Sequence, residues 1–381
     1  MNKAEMAQML AEKLNVSKKE TEDMLNAFTD IVTATLKKDE EVVLLKPLEV
    51  TNTSAKATFA TAQKLTIPKA LAAIYAQGSP LIVVIRVSGD EPSVSNISGT
   101  EESSTGVFGF LKAQSVVGFT PKIIIAPKFS HDVSVQEALK LVTQKLRAVA
   151  IIDMAETSTR QDALAFSEKH STSRFYPIHG CAEGVGDIGT MPLSPFVAGL
   201  IAVNDLENGY WSSPSNKILN GIKRITNPLT WSLSDPNCEA NLVNEKGIAT
   251  VIRQGGFRLW GNRTLGKNSA IEQAHVFLNV RRITDAINDS IMQSVMWAMD
   301  KNITKNFIQD VLESVNNFIR SLRNDGAIIN GNAFVVLEEN PPDQIKQGKV
   351  VFSFDYTPVF PAESIKFKSI ITDQYLAEVL A

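Results

Sequence analysis

Short apolar runs alternate with amphipathic stretches over the first half of this 381-residue chain. The runs LIVVIRV, KIIIAP and AVAIID are rich in β-branched residues, and helix-like segments such as VQEALKLVTQKL separate them. Strands that are apolar along their whole length are typical of sheets covered by helices on both faces. The alternation therefore predicts an α/β fold built on a mainly parallel sheet.

The last third of the chain has a different order of predicted elements. TDAINDSIMQSVMWAMDK and TKNFIQDVLESVNNFIRSLRNDG carry apolar residues at helical spacing, and Gly326 ends the second helix. IEQAHVFLNVRR, AIINGNAFVVLEE and KVVFSFDYTPVF predict strands. We therefore predict a separate α+β domain at residues 267–381, after an α/β domain at residues 46–266.

The first 45 residues predict a short helical hairpin. Asn2 with Glu5 can cap a first helix, and Ser17 with Glu20 forms a capping box for a second. Six lysines against nine carboxylates give residues 1–45 a charge of −3. A hairpin this small cannot bury its apolar stripes alone, so we expect it to pair with another surface.

The composition excludes several classes of protein. A net charge of −3 provides no basic field for nucleic acid or an anionic membrane. The N-terminus lacks the apolar stretch of a signal peptide, and the longest apolar runs are too short to span a bilayer. Cys181 and Cys238 form no CxxC pair, which fits a reducing compartment. We expect a cytoplasmic protein without membrane insertion.

No set of residues predicts catalysis, a metal site or a cofactor site. The histidines lack metal-ligand spacing: His131, His170, His179 and His275. His179 and Cys181 are the best pair for nucleophilic chemistry, but a loop or core histidine is the simpler interpretation. GVGDIGT lacks the lysine of a phosphate loop and predicts a surface turn, and Asp153 predicts a helix or loop cap. We predict no enzyme activity and no cofactor.

The segment GGFRLWGNRTL, residues 255–265, concentrates glycine, arginine and aromatic residues. A nucleotide site would place such glycines between a strand and a helix, with a lysine or hydroxyl aimed at phosphate. The arginines of this region are instead placed to stack on aromatic rings or form ion pairs: Arg253, Arg258 and Arg263. We predict a structural turn in which Arg258 and Trp260 hold the junction between the two domains.

The N-terminal stretch MNKAEMAQMLAEKLNVSKKETEDMLNAFTDIVTATLKKDEEVVLL resembles the start of the bacterial histone-like HU/IHF family. In that family the two helices form a dimer core, and a following sheet with basic arms holds DNA. Here the resemblance stops near Leu45, and residues 50–67 offer only Lys56 and Lys64. We expect dimerisation to survive without DNA binding; an HU-like DNA-binding architectural protein is the alternative function.

NEKGIATVIRQGGFRLWGNRTL resembles the signature of contractile phage tail sheath proteins, and GKVVFSFDYTPVFPAESIKFKSIITDQYLAEV continues the resemblance, which covers residues 46–381. It implies a subtilisin-like central domain without protease activity. It also implies a structural subunit of a phage, prophage or tailocin-like injection system. Such subunits form hexameric rings stacked helically around a tail tube protein, contact baseplate and tail terminator proteins, and contract to drive the tube through an envelope. Assembly would occur in the host bacterial cytoplasm.

The same resemblance marks candidate assembly residues in the GFRLWGNR segment, in FDYTP and in the tail. They are Gly256, Phe257, Arg258, Trp260, Gly261, Asn262, Arg263, Asp355, Tyr356, Pro358, Asp373, Tyr375 and Leu376. In the tail itself, Ile365 and Phe367 alternate with Lys366 and Lys368, which predicts a strand. We expect this strand to pair with the open sheet edge of a neighbouring subunit.

One departure from the sheath family concerns the N-terminus. Family members usually begin with a short strand that reaches into neighbouring subunits, whereas here the HU-like hairpin takes that place and joins the rest of the chain near residues 42–46. Two explanations stay open: the helices supply a new contact between subunits, or the gene is a fused or decayed prophage gene.

Overall fold

The computed structural model describes residues 42–45, 66–87 and 93–380. The predicted N-terminal hairpin lies outside the described residues, apart from its last four positions, which form strand β1 (Val42–Leu45). Helix α1 (Thr66–Tyr75) and strand β2 (Ile82–Ile85) follow, and β1 pairs antiparallel with β2. The run LIVVIRV was predicted to be a buried strand, but Val84 is the one residue of β2 that is buried, because β2 has a single strand neighbour in the described chain.

Helices and strands then alternate as the sequence predicts. The elements between residues 93 and 178 are α2 (Val94–Ser98), a 3-10 helix (Gly106–Lys112), α3 (Ala113–Val117), β3 (Ile123–Ile125), α4 (Val133–Leu146), β4 (Val149–Asp153), α5 (Arg160–Lys169) and β5 (Phe175–Ile178). The Ser93 hydroxyl caps the first turn of α2, where it accepts a hydrogen bond from the Asn96 amide at 3.2 Å.

The strands β3, β4 and β5 form one parallel sheet in that order. All five residues of β4 are buried. Val149 and Ile151 pack into one apolar core, and Ala150 and Ile152 pack into a second core on the other face. Both faces of this sheet are therefore covered, as the uninterrupted apolar runs predict.

Antiparallel pairing dominates from Cys181 onward. The elements here are β6 (Cys181–Gly184), β7 (Thr190–Pro192), α6 (Ser194–Asn208), β8 (Ile222–Ile225), α7 (Glu239–Glu245), β9 (Thr250–Arg253) and β10 (Phe257–Trp260). Strands β7, β6 and β8 form one sheet, and β9 with β10 forms a hairpin. The predicted mainly parallel sheet is thus restricted to β3–β5, and the other described sheets are antiparallel.

Helix α6 runs through the centre of this part of the molecule. Gly199 brings it against α1, since a Cβ atom at this position would lie 2.7 Å from the carbonyl oxygen of Ile74. Phe196 and Ile201 of α6 are fully buried in the core that also contains Ala73 of α1. The helix therefore joins α1 to the parallel sheet.

The C-terminal part consists of α8 (Leu278–Ser294), α9 (Lys305–Asn324), β11 (Ile328–Phe334), α10 (Pro342–Lys346) and β12 (Ser353–Pro358). Its two long helices and the antiparallel β11–β12 ribbon confirm the α+β expectation. The strand predicted for IEQAHVFLNVRR is wrong: its second half begins α8, because its apolar residues continue the helical spacing of Ile283 and Ile287.

The C-terminal tail does not form the predicted strand within one chain. Residues 359–372 have no regular secondary structure, and a 3-10 helix follows at Gln374–Leu380. A strand needs a neighbour to bond its backbone groups. The described part of a single chain supplies none to the tail.

Candidate assembly site

The GGFRLWGNRT segment contains a hairpin whose turn requires glycine. Gln254, Gly255 and Gly256 connect β9 to β10, and the Gln254 amide donates to the Gly256 carbonyl oxygen at 2.9 Å. Gly255 has φ 61° and Gly256 has φ 131°, values that side chains rarely allow. Val251 and Leu259, opposite each other, enter the central core. The segment is a structural turn, as predicted.

Arg258 fastens a further segment to this hairpin. Its Nε donates to the Gln254 carbonyl oxygen and its Nη1 to the Asn216 carbonyl oxygen, both at 2.7 Å. Residues 216–219 run beside β10, with the Leu219 amide 2.8 Å from the Phe257 carbonyl oxygen. Arg253 lies over the Phe257 ring, as expected for an arginine of this region. Arg258 differs from that expectation because it binds backbone carbonyl groups.

Trp260 is half-buried at the end of β10. Its Nε1 donates to Asn241 Oδ1 at 2.9 Å, and its ring meets that of Trp231 edge-on, with centroids 5.6 Å apart. These contacts, like those of Arg258, lie within the central part of the chain. The prediction that Arg258 and Trp260 hold the domain junction is therefore wrong, because both side chains contact residues of the central part.

We expect Trp260→Ala to lower the free energy of unfolding by about 2–3 kcal/mol, because it removes half-buried aromatic area and leaves Asn241 without its donor. Chemical denaturation measures this change. Leu233→Ala is the control, since Leu233 is 84% exposed. A Trp260→Ala protein as stable as this control would contradict the packing described for the indole.

The junction itself is held by Asn262 and Arg263, which follow Gly261 in the motif. Gly261 has φ 128°, and a Cβ atom there would lie 2.2 Å from Asn244 Oδ1, so only glycine fits. Asn262 Nδ2 donates to Asn279 Oδ1 at 2.9 Å. Arg263 forms a two-pronged ion pair with Glu363 and lies over the Phe277 ring. The motif therefore contacts both the start of α8 and the start of the tail.

A row of charged residues along α8 also binds the central part. Asp285 accepts hydrogen bonds from Arg174 at 3.0 Å and from Arg281 at 2.7 Å, and all three side chains are at most 11% exposed. Arg282 pairs with Asp205 of α6, and Asp289 pairs with Lys122 and Arg147. Burial lowers the pKa of Arg281, an effect that the Asp285 carboxylate opposes. Sequence reasoning missed this set, although RRITDAIND places its charges at helical spacing.

The FDYTP segment attaches the β11–β12 ribbon to α8. Tyr356 donates its hydroxyl to Thr284 Oγ1 at 2.8 Å, and its ring stacks on Phe354. Asp355, on the opposite face, accepts from the Asn332 amide at 3.0 Å, and Pro358 ends the strand opposite Ile328. Each strand of the ribbon has only one strand neighbour in the described chain, so each leaves an edge open.

The tail leaves the molecule beside the GGFRLWGNRT motif. Asn279 Nδ2 donates to the Val359 carbonyl oxygen, and Arg263 binds Glu363. Beyond this point large apolar side chains face solvent: Phe367 is 93% exposed, Ile371 100%, Tyr375 65% and Leu376 67%. The Asp373 carbonyl oxygen accepts a hydrogen bond from the Leu376 amide at 2.9 Å, at the start of the terminal 3-10 helix. So many large exposed apolar side chains within one short segment are typical of a surface that binds another protein.

The residues considered for catalysis are buried. Asp153 accepts from the Ser194 amide at 2.8 Å and the Ser194 hydroxyl at 2.5 Å, so it caps the start of α6 as predicted. His179 is 2% exposed with Nε2 at 3.2 Å from the Ser158 carbonyl oxygen, and burial raises the pKa of the Cys181 thiol to about 12. GVGDIGT forms the turn between β6 and β7. No cluster that could hold a metal ion occurs among the described residues.

The buried carboxyl of Asp153 predicts a pH dependence of stability. Burial raises its pKa from 3.8 to about 7, against the lowering effect of hydrogen bonds from Ser194 and Ser130. Because the folded state favours the neutral form, this group stabilises the fold fully below its ordinary pKa, and the stabilisation is lost as pH rises towards about 7. We expect the stability of the wild type relative to Asp153→Asn to fall by about 1 kcal/mol per pH unit between about pH 5 and about pH 7.

Denaturation of both proteins at several pH values measures this difference. Burial also lowers the pKa of three histidines, but they are common to the two proteins, so their effects cancel in the comparison: His170, His179 and His275. Parallel stability curves for wild type and Asp153→Asn would show that the carboxyl does not titrate near neutrality.

The described chain thus combines connected apolar cores, buried polar side chains and an exposed apolar tail. A family model described as phage tail sheath protein central domain matches residues 105–265, and one described as phage tail sheath C-terminal domain matches residues 272–372. A bacterial DNA-binding protein model matches residues 1–77, which reaches further than the expected limit near Leu45.

Curated relatives agree with the first two matches. The tail sheath protein of Escherichia phage P2 is 32% identical over 357 residues, covering 90% of this chain and 89% of the relative. A chain of Pseudomonas aeruginosa (strain UCBPP-PA14), named as a prophage major tail sheath protein, is 36% identical over 320 residues, covering 81% of each. This chain belongs to the phage tail sheath family.

Solved structures show the same fold. The sheath complex of the extracellular contractile injection system PVC, in its contracted state, has a TM-score of 0.65 at 15% identity and covers 88% of each chain. The helical sheath of the anti-feeding prophage, also contracted, has a TM-score of 0.65 at 17% identity, covering 87% of this chain and 88% of its own. Within the described residues, none of the helices has the length and apolar character needed to cross a membrane.

Proposed function

We propose that this chain polymerises into helically stacked hexameric rings around an inner tube and contracts to drive that tube through a target envelope. The observation that carries the proposal is the tail: it is fixed at Glu363, exposes apolar residues up to Val379, and finds no partner strand in its own described chain. The open edges of the β11–β12 ribbon are suitable acceptors for such a tail in a neighbouring subunit.

In this proposal the chain performs no covalent chemistry. Contraction is a repacking of interfaces between two discrete arrangements, so it requires no nucleophile, cofactor or metal. The complete burial of Ser194 and the near-complete burial of Asp153 and His179 support this assignment, because a substrate could not reach them. We also propose that the central domain has a subtilisin-like fold. The parallel β3–β5 sheet, which is covered on both faces, supports this.

The partners in this proposal are further copies of the chain, a tail tube protein, and baseplate and tail terminator proteins. The sheath and baseplate assemblies among the similar structures support it through their shared fold. Assembly would take place in the host bacterial cytoplasm. The chain would consist of three domains, at residues 1–45, 46–266 and 267–381. The GFRLWGNR and FDYTP residues would act by holding the tail and its acceptor ribbon in place.

Negative-stain electron microscopy of the purified full-length chain tests the proposal. We expect rings or striated tubes whose abundance rises with protein concentration. Tubes that have shortened should have a wider lumen than tubes that have not. A chain that stays monomeric at every concentration, alone and with its tube protein, would refute the sheath assignment.

The match of residues 1–77 to a DNA-binding family favours a second candidate, an HU-like DNA-binding protein. Two observations oppose it. Residues 1–45 carry a charge of −3, whereas binding to phosphates requires positive charge. The end of the matched region is also part of the central core, since Ala70 and Ala73 of α1 are buried in the core that also contains Phe196 of α6.

We therefore expect the full-length chain to show no salt-sensitive binding to duplex DNA at micromolar protein concentration. Fluorescence anisotropy of a labelled 30-base-pair duplex, read at about 50 mM and about 200 mM salt, measures it, because phosphate contacts weaken steeply over this range. An authentic HU dimer serves as the positive control. Sub-micromolar binding that weakens with salt would support the DNA-binding alternative.

A further inference from the structure

Exposed methionine side chains are concentrated where α8 ends. Met292 is 48% exposed, Met296 71% and Met299 72%. The other methionines in the described part of the chain are buried, since Met154 is 5% exposed and Met191 2%. Oxidation of a thioether begins at a lone pair of its sulfur atom, so a dissolved oxidant reaches the three exposed sulfur atoms far more readily than the two buried ones.

The sulfur atom of Met292 also contacts a cation. Arg147 follows the last residue of α4, with φ 47°, and its side chain reaches α8. Its Nη1 donates to Asp289 Oδ1 at 2.9 Å, and its Nη2 lies 3.8 Å from Met292 Sδ. Asp289 and Met292 are three positions apart, so they lie on the same face of the helix. The guanidinium group therefore contacts both side chains, one with each terminal nitrogen.

A thioether is a weak partner for a guanidinium group. Sulfur is a poor hydrogen-bond acceptor, and 3.8 Å is long compared with an N–H···O bond. A sulfoxide oxygen carries partial negative charge, and an oxygen bonded to Sδ on the side of Arg147 would lie within hydrogen-bonding distance of Nη2. Oxidation of Met292 would thus replace a weak contact by a charge-assisted hydrogen bond.

This contact lies between the central part and the C-terminal part of the chain. Arg147 extends from α4, and Lys122, which precedes β3, pairs with the same Asp289 carboxylate of α8. One more bond from α8 to Arg147 would tighten this junction. Methionine oxidation disrupts cores because it places a polar group among apolar ones. Met292 is already half exposed, so that cost is small here.

We propose that Met292 is a redox modification site whose sulfoxide is bound by Arg147. A peroxide supplies the oxygen: a sulfur lone pair forms the S–O bond, the O–O bond breaks, and the proton of the transferred oxygen moves to the leaving oxygen. Sulfur is oxidised, and hydrogen peroxide is reduced to water. Methionine sulfoxide reductases reverse this reaction, so the strength of the junction follows the oxidant level. The inference goes beyond the proposed function and does not depend on assembly.

Hydrogen peroxide treatment of the full-length, unpolymerised chain tests the proposal, in a Met296→Leu/Met299→Leu background. Mass spectrometry of its peptides should show one added oxygen on Met292 and none on the two buried methionines. Urea denaturation before and after treatment then gives the equilibrium constant for unfolding. A Met292→Leu protein in the same background is the matched control, because it reports the effect of oxidation at all other residues, including the methionines within residues 1–24.

The decisive measurement is the coupling between oxidation and Arg147. Each protein is compared with its own Met292→Leu control. We expect oxidation to lower the unfolding constant about fivefold more with Arg147 than in an Arg147→Ala protein, because a charge-assisted hydrogen bond forms at a partly exposed site. Loss of the Asp289 pair is common to the reduced and oxidised Arg147→Ala proteins and cancels. Treatment with a methionine sulfoxide reductase should abolish the difference.

Two results would overturn the proposal. If Met292 stays reduced while Met296 and Met299 of the wild type are oxidised, its sulfur is not a modification site. If oxidation changes the unfolding constant by the same factor with and without Arg147, the guanidinium group does not bind the sulfoxide. Neither result bears on the sheath assignment, because both are measured on the unpolymerised chain.

Discussion

Asp285→Asn should lower the free energy of unfolding by about 3–5 kcal/mol, the range found when one member of a buried ion pair is removed. The substitution leaves the side chains of Arg174 and Arg281, each 11% exposed, without the carboxylate that both of them bind. Asparagine has nearly the same shape, so the loss reflects charge and hydrogen bonding and not a cavity. Urea denaturation monitored by circular dichroism measures the change.

The matched control lies one turn further along the same helix. Asp289 also pairs with two cations, Lys122 and Arg147, but it is 22% exposed and its partners are 42% and 37% exposed. Asp289→Asn should therefore cost less than about 1 kcal/mol, as surface pairs do. Equal effects at the two positions would mean that burial does not distinguish them and that the buried triad contributes no more than a surface pair.

Deletion of residues 373–381 should leave a folded, soluble monomer that cannot build tubes. The deleted residues include Tyr375, Leu376 and Val379, which are 65%, 67% and 80% exposed and add nothing to the cores of the chain. We expect an unchanged thermal unfolding midpoint together with loss of all tubes in electron micrographs. This effect on assembly is the largest expected for any change outside the cores.

A second variant separates the side chains from the length of the tail. Replacing Tyr375 and Leu376 by serine keeps every residue of backbone but removes the apolar groups, so it should weaken assembly strongly; Leu233→Ser, also at an exposed apolar position, should leave assembly intact. Regular tubes from the truncated protein would show that residues 373–381 do not link subunits.

The parallel sheet and the motif turn could be predicted because their signals are local. AVAIID is apolar along its length and becomes β4, buried on both faces, and paired glycines mark the turn at Gly255 and Gly256. The start of α8 was mistaken for a strand because VFLNV is too short an apolar run for its period to decide between strand and helix.

The candidate site was only partly predictable for a different reason. Arg174 and Asp285 are 111 positions apart, and neither local pattern indicates that the two side chains meet. Arg258 and Trp260 were assigned to the junction because they stand in the motif, whereas the contacts to α8 and the tail are made by Asn262 and Arg263. Such pairings depend on how distant segments pack, and a single sequence does not show which distant segments come into contact.

The route by which Arg263 joins the tail to the core has a mechanical consequence. A pull on the tail by an attached subunit would be transmitted through Glu363 to Arg263, and from there along the motif backbone to Gly261, whose carbonyl oxygen is held by the buried Tyr176 hydroxyl of β5 at 2.6 Å. The force is therefore transmitted to the parallel sheet, where separating two strands requires several backbone hydrogen bonds to break at once. In this geometry the GNR residues act as a tether, and stretching would extend the free tail long before it distorted the body of the subunit.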